Sequence, residues 1–151
     1  ASALGSLPVR AVVTTGRAVR PDMVPAPPNV RVVRAAPHRA VLQEASVVVT
    51  HAGHGTVLKA LAAGVPLVCI PMGRDQRANT TRVLRLGAGV RVAKRASADR
   101  VAAAIRSVLD APAFAANARE VAQMLASEAA GHPTAVDEVE AMVGMSPTRH
   151  S

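Results

Sequence analysis

Aromatic side chains are almost absent from this chain of 151 residues, which has no Trp, no Tyr and one Phe, Phe114. An apolar core must therefore be built from Val, Leu, Ala and Ile, which supply most of the 50% of residues that are hydrophobic. That apolar fraction excludes a chain that is disordered throughout. The length is sufficient for one domain with a core of its own.

Cysteine and long apolar runs are also scarce. Cys69 is the only cysteine, so no internal disulfide is possible, and its place in the apolar run LVCIP predicts a buried thiol. No run approaches the roughly 18 consecutive apolar residues of a membrane-spanning helix. We therefore expect no membrane span and a cytoplasmic location.

Acidic residues are fewer than basic ones, with 10 Asp and Glu against 18 Lys and Arg, for a net charge of +8. This excess suits anionic ligands, among them nucleic acid. The arginines, however, are spread along the chain, and no aromatic residues lie between them to stack on bases. We expect no nucleic-acid partner.

Short apolar runs alternate with helical patterns over most of the chain. The predicted strands are residues 9–14, 30–34, 46–50, 67–70 and 89–92. The predicted helices are residues 37–45, 56–63 and 76–86, one from a Ser97 cap to Asp110, one around residues 114–125, and one at 135–143. Residues 17–29 hold four prolines and are predicted to be a loop.

This alternation predicts an α/β fold, a Rossmann-like parallel sheet with helices on both faces. Such sheets bind ligands at the carboxyl ends of their strands. Two polar segments follow neighbouring strands at that edge: HAGHGT, residues 51–56, and PMGRDQRAN, residues 71–79.

The first polar segment has the composition of a phosphate-binding turn. Gly53 and Gly55 allow a sharp turn and the close approach of a ligand. Thr56 is predicted to begin a helix, whose free N–H groups and dipole attract anions, and His51 can donate a ring N–H. The alternative is a tight connection in which Thr56 only caps the helix. His51 and His54 have no acid or cysteine beside them, so no metal site is predicted.

The second polar segment pairs an acceptor with a donor. Asp75 and Gln76 together can accept and donate hydrogen bonds, as neighbouring sugar hydroxyls require. The alternative is that Asp75 caps the helix that begins near Gln76. Both interpretations are compatible, since a cap uses only part of the carboxylate.

Several spaced elements in one order resemble a known signature. They are His-x-Gly-x-Gly-Thr, Ala-Leu-x-x-Gly-Val-Pro, Pro-x-x-x-Asp-Gln-x-x-Asn and Gly-x-Gly, within residues 51–92. The stretch resembles the donor-binding signature of nucleotide-sugar-dependent glycosyltransferases of the GT-B fold. The most similar group contains bacterial antibiotic and macrolide glycosyltransferases and the UDP-glycosyltransferases. The resemblance extends from residue 9 to about residue 92.

The resemblance implies a role for each residue of the first segment. His51 would bind the pyrophosphate of the donor. Gly53, Gly55 and Thr56 would supply backbone and hydroxyl contacts to it.

The resemblance also implies contacts to the sugar and the base. Asp75 and Gln76 would hold the sugar hydroxyls, and Ala36 would meet the base through its backbone. Two residues depart from the family pattern: Ala35 replaces a tryptophan that stacks on the base in many members, and Lys59 replaces a ribose-binding glutamate. Because a lysine cannot accept a hydroxyl proton, UDP and dTDP both stay open as the nucleotide.

The function implied is that of the donor-binding part of an inverting glycosyltransferase. The intact enzyme would move a sugar from a UDP or dTDP sugar to an acceptor hydroxyl of a small molecule or lipid. Residues 1–151 would form a partial C-terminal domain, and the acceptor site and catalytic base would lie in an N-terminal acceptor domain that is absent. No catalytic residue, no metal and no cofactor are expected in this chain, and alone it would be inactive.

Two further expectations follow from the resemblance. The chain would lack the first strand of its domain, so an exposed sheet edge would favour a homo-oligomer or pairing with a partner. The alternative function is a catalytically inactive nucleotide-sugar-binding or scaffolding module, which Ala35 and Lys59 favour.

Overall fold

A computed structural model describes residues 1–73 and 75–131. The strands are β1 (Ala11–Thr14), β2 (Val30–Val33), β3 (Val48–Thr50), β4 (Leu67–Cys69) and β5 (Gly89–Arg91). The helices are α1 (Ser2–Gly5), α2 (His38–Glu44), α3 (His54–Ala62), α4 (Gln76–Arg85), α5 (Ala98–Asp110) and α6 (Pro112–Gly131). Within these residues, no helix is both long and apolar enough to cross a membrane.

The predicted elements are confirmed with small shifts of their ends. Each strand is present but one or two residues shorter than its apolar run. The proline-rich loop holds one 3-10 turn, Pro21–Met23. The Ser97 cap is confirmed, because its hydroxyl accepts a hydrogen bond of 3.3 Å from the Arg100 N–H. The predicted helix at residues 135–143 lies outside the described residues.

All strand pairs are parallel, as predicted, but the strands form two sheets rather than one. β1 pairs with β2, and β3, β4 and β5 pair in that order. No described segment pairs with both β1 and β3, so each keeps one unpaired edge. The predicted α/β fold with parallel strands flanked by helices is confirmed, and its described strands form two parallel sheets.

The core lies on both faces of β4, the middle strand of the larger sheet. Leu67 and Cys69 face one cluster, in which α3 and α6 pack together. Val68 faces the opposite cluster, which includes Ile105 and Val108 of α5. This alternation, with all three β4 residues fully buried, is typical of a parallel strand covered on both faces.

The thiol of Cys69 is buried, as the sequence predicted. Burial raises its pKa to about 11, and a hydrogen bond with Thr80 opposes the rise without cancelling it. The thiol is therefore neutral at physiological pH and packs as a small apolar side chain. This excludes a nucleophilic role for Cys69.

Candidate functional site

The turn after β3 is held by a strained residue, and that residue is not a glycine. Ala52 has a φ of 66°, the only positive φ outside glycine in the described residues. A side chain in this conformation costs about 1–2 kcal/mol. The prediction that Gly53 makes the sharp turn was wrong, because Gly53 has an ordinary φ of −63°. The fully buried Ala52 is held by hydrogen bonds: its N–H donates to Thr50 Oγ1 at 3.2 Å.

Gly53 instead provides space for the His51 ring. A Cβ at Gly53 would lie 2.7 Å from His51 Nε2 and 3.4 Å from its Cε1. Real Cβ atoms do not approach so closely, so the ring lies where a side chain would otherwise be. The glycine therefore sets the position of the imidazole, which is exposed at the carboxyl end of β3.

Helix α3 begins at His54, two residues earlier than predicted. The Gly53 carbonyl accepts hydrogen bonds from Thr56 N–H at 3.1 Å and Val57 N–H at 3.0 Å, so Gly53 is the N-cap. Thr56 thus lies inside the first turn, and the interpretation of Thr56 as the cap was wrong. The N–H groups of His54 and Gly55 have no acceptor within the described part of the chain and are exposed. They are free to bind an anion.

The side chain of Gln76 stabilises the loop that precedes α4 and is partly exposed. Its Oε1 accepts hydrogen bonds from the N–H groups of Met72 at 2.7 Å and Gly73 at 3.2 Å. Its Nε2 has no partner within residues 1–73 and 75–131. Gln76 can therefore donate hydrogen bonds to a ligand but cannot accept them. Its predicted role in binding sugar hydroxyls is limited to donation.

Asp75 occupies the N-cap position of α4 but does not cap the helix with its side chain. Its backbone is already helical, with a φ of −63° and a ψ of −16°. The carboxylate Oδ2 accepts a hydrogen bond of 3.1 Å from Asn79 Nδ2 instead. The cap interpretation was wrong on this point, and Oδ1 has no partner among the described residues.

Asn79 joins the two polar segments. Its Nδ2 also donates to the Ala52 carbonyl at 3.1 Å, so one amide contacts both the turn after β3 and the loop after β4. The side chain is only 4% exposed. The sequence analysis placed Asn79 in the second polar segment but predicted no role for it. Its position four residues after Asp75 on one helix face was the available signal, whereas the contact with Ala52 was not predictable locally.

A basic groove lies beside the turn, between α2 and α3. It has a volume of about 530 Å³, and its described lining consists of the basic His38, Arg39 and Lys59, the polar Gln43 and apolar residues, without a carboxylate. Ala36 is half-buried in the loop that leads into α2, and no described hydrogen bond joins it to the turn. Sequence reasoning singled out Lys59 but missed its two basic neighbours, which come from a separate helix.

Comparison with known proteins assigns the chain to a family. Residues 2–145 match the family described as erythromycin biosynthesis protein CIII-like, C-terminal domain. The chain belongs to this family. The resemblance to antibiotic and macrolide glycosyltransferases is thereby confirmed.

Individual relatives agree with this family. The 4'-demethylrebeccamycin synthase of Lentzea aerocolonigenes is 39% identical over 144 residues, which are 95% of this chain and 33% of the relative. The crystal structure of CalG4, the calicheamicin glycosyltransferase, superposes with a TM-score of 0.80 at 30% identity and covers 98% of this chain and 38% of that one. The glycosyltransferase VinC, in complex with dTDP, has a TM-score of 0.73 at 26% identity and covers 80% and 31%.

These neighbours establish the fold and the extent of the match. The chain has the α/β architecture of part of a GT-B glycosyltransferase, as predicted. It spans about a third of the length of the relatives that it matches.

Proposed function

We propose that this chain is the donor-binding domain of an inverting glycosyltransferase that uses a nucleoside diphosphate sugar. The observation that carries the proposal is the Asn79 bridge, which holds the His51 turn and the Asp75 loop side by side at the carboxyl ends of β3 and β4. That edge is where parallel α/β sheets bind ligands. Membership of a family of glycosyltransferase C-terminal domains supports the same function.

The turn after β3 would bind the pyrophosphate. His51 would donate a ring N–H, and the free N–H groups of His54 and Gly55 would donate at the positive end of the α3 dipole. Negative charge develops on the leaving diphosphate as the glycosidic bond breaks. These donors would stabilise that charge without a bound metal ion, because they all belong to the turn after β3 and the first turn of α3.

The loop after β4 would bind the sugar. Asp75 Oδ1 is an exposed acceptor, and Gln76 Nε2 is a donor whose partner oxygen is already engaged by the loop. Adjacent hydroxyls of a hexose can each bond one of these groups. Such contacts orient the anomeric carbon towards the acceptor.

The basic groove would take the anionic side of the nucleotide. Arg39 and Lys59 provide positive charge, no carboxylate lies among the described lining residues, and Gln43 offers an amide oxygen that can accept a hydrogen bond from a ribose hydroxyl. The structure of VinC with dTDP makes a thymidine nucleotide one candidate, and UDP is the other.

The remaining parts of the reaction would come from outside this chain. An acceptor hydroxyl would lose its proton to a base of another domain and attack the anomeric carbon, and the bond from that carbon to the diphosphate oxygen would break. One displacement inverts the configuration. We expect the 151-residue chain alone to bind donor weakly and to transfer no sugar.

Calorimetric titration with UDP, dTDP and their glucose conjugates tests the proposal. We expect saturable binding, and His51→Ala should weaken it by about 1–3 kcal/mol, the usual effect of losing a hydrogen bond to a charged group. Arg106→Ala removes an exposed basic side chain from α5, which packs on the opposite face of β4 from α3, and should have no effect. If neither the chain nor the longer protein that carries it binds any of the four ligands, the proposal is wrong.

A non-catalytic nucleotide-sugar-binding module is the second candidate. Ala35 and Lys59 favour it, because both depart from the donor-binding signature that the sequence resembles. Transfer or hydrolysis of a nucleotide sugar by the longer protein would exclude it. Tight donor binding without turnover would support it.

We also propose that the open edges of β1 and β3 are covered by a second chain or another segment. Val12 on β1 is 49% exposed and Val49 on β3 is 41% exposed, although parallel strands are normally buried on both faces. The 151-residue chain should therefore self-associate at micromolar concentrations, as light scattering after gel filtration would show. Val12→Lys and Val49→Lys should shift it towards monomer, whereas Ser107→Lys on exposed α5 should not. A wild-type monomer at all concentrations would contradict self-association.

A further inference from the structure

One buried amide makes three hydrogen bonds in the described residues, and two of them join the two functional loops. Asn79 Nδ2 donates its two hydrogens to the Ala52 carbonyl and to Asp75 Oδ2, each at 3.1 Å. Its Oδ1 accepts from Arg82 Nη1 at 3.4 Å. Ala52 and Asn79 are 27 residues apart in sequence.

At Ala52, the bridge holds a conformation that alanine seldom adopts. The positive φ turns the Ala52 carbonyl inward, where Asn79 is its partner. His51 immediately precedes Ala52, and the first free N–H of α3 follows two residues later. Any relaxation of Ala52 towards an ordinary φ would therefore move both the imidazole and the helix start.

At Asp75, the bridge selects one carboxylate oxygen. Oδ2 accepts from Asn79, so Oδ1 is the carboxylate oxygen that has no partner in the described residues and both of its lone pairs are open to a ligand. The bond also fixes the orientation of an exposed side chain, which would otherwise rotate freely. A carboxylate that is fixed before binding loses less conformational freedom when the ligand arrives.

We propose that Asn79 is a positioning residue that couples the phosphate-binding turn to the sugar-binding carboxylate. Its own side chain does not reach the ligand. Through Ala52 it fixes the position of the N–H groups that bind phosphate. Through Asp75 it fixes the carboxylate that binds the sugar. The two ends of the nucleotide sugar are therefore bound at a fixed distance from each other. This inference rests on the proposed function.

If Asn79 couples the two loops, its loss should change how strongly the site prefers a nucleotide sugar over a nucleoside diphosphate. Asn79→Ala should weaken binding of the nucleoside diphosphate alone, because the turn relaxes. It should weaken binding of the nucleotide sugar by a further factor of about ten, because the hydrogen bond between the sugar and the Asp75 carboxylate is then poorly aligned. Asp75→Ala should lower only the sugar preference. In the Asp75→Ala background, Asn79→Ala should therefore weaken both ligands equally.

The experiment is calorimetric titration of the longer protein that carries this chain. UDP, dTDP and their glucose conjugates are the probes. Thermal unfolding of each variant is recorded in parallel. Thr81→Ala is the matched control, since Thr81 is exposed on the same helix and, in the part of the chain that the structure describes, its hydroxyl bonds only to the Arg77 carbonyl. It should leave all dissociation constants unchanged.

A second variant keeps the test decisive if Asn79→Ala does not fold. Asn79→Asp has nearly the same shape, but its carboxylate has no N–H to donate, so it faces two acceptors, the Ala52 carbonyl and the Asp75 carboxylate, and repels both. Sugar preference should be lost at neutral pH and recover in part as the pH falls and the new carboxyl regains a proton to donate. A purely structural asparagine would lower the unfolding temperature without this pH-dependent preference.

The outcomes separate this inference from the proposed function. If the unmodified protein binds none of the probes, both fail. If it binds them and Asn79→Ala weakens nucleoside diphosphate and nucleotide sugar by the same factor, the coupling is wrong and the proposed function stands. If neither ligand is weakened, Asn79 only stabilises the fold.

Discussion

Gly89→Ala should be the most destabilising of the glycine-to-alanine substitutions in the described residues, with a loss of about 3 kcal/mol or more in the free energy of unfolding. A Cβ at Gly89 would lie 2.1 Å from the Leu67 carbonyl oxygen and 2.9 Å from Val83 Cγ1. The first of these is a backbone atom in the adjacent strand, paired with Gly89 in the β4–β5 register. It can move only if the two strands separate, and β4 carries the core on both faces.

Urea unfolding followed by circular dichroism measures this loss directly. Gly73→Ala is the matched control, because a Cβ there meets no atom within 4 Å and φ is not positive. Its free energy of unfolding should stay within about 0.5 kcal/mol of the unmodified chain, as for most surface substitutions. Equal midpoints for the Gly73 and Gly89 variants would show that β5 tolerates a side chain and that the clash is relieved by a small shift.

Gly53→Ala should weaken nucleotide binding by up to as much as His51→Ala, while changing stability little. The added Cβ would lie 2.7 Å from His51 Nε2, the far end of a flexible side chain, so the ring rather than the backbone would move. Displacing the ring removes its hydrogen bond to phosphate, about 1–3 kcal/mol for a charged partner. Calorimetry with UDP or dTDP gives the binding loss, and thermal unfolding gives the stability.

A double-mutant cycle tests whether the effect acts through His51. Combined with His51→Ala, the Gly53→Ala change should add little, because the ring it displaces is already gone. Gly55→Ala is informative beside it, since its Cβ meets nothing within 4 Å and leaves the ring in place. Weaker binding by Gly55→Ala would place the phosphate over Gly55. Full, undiminished binding by Gly53→Ala would contradict the role proposed for His51.

Most of the secondary structure was predictable because its signals are local. Short segments rich in Val, Leu and Ile mark the strands of the described residues, and Pro66 and Pro71 bound the run that contains β4. The Ser97 cap and the burial of Cys69 were correct for the same reason, since each depends on residues within one turn or one strand. The two polar segments were also found from the sequence, as strand order alone brings them to one edge.

Helix boundaries were less accurate where a glycine lies inside the first turn. The sequence predicted that α3 would begin at Thr56, after Gly55, but the helix includes Gly55 and begins at His54. The cost of glycine is small there, because the apolar residues Val57, Ala60 and Leu61 pack against the core and determine where the helix lies.

The sequence by itself determined the order of strands and helices, the absence of an aromatic core, the family and the two segments that form the candidate site. Only the tertiary structure decided that Ala52 carries the strained φ, that Gly53 makes room for a ring, that Gln76 Oε1 supports its own loop, and that Asn79 joins the two segments. It also divided the strands into two sheets. The physical reason is distance along the chain: hydrogen-bond partners such as Ala52 and Asn79 lie 27 residues apart, and no local pattern specifies which buried carbonyl a buried amide will meet.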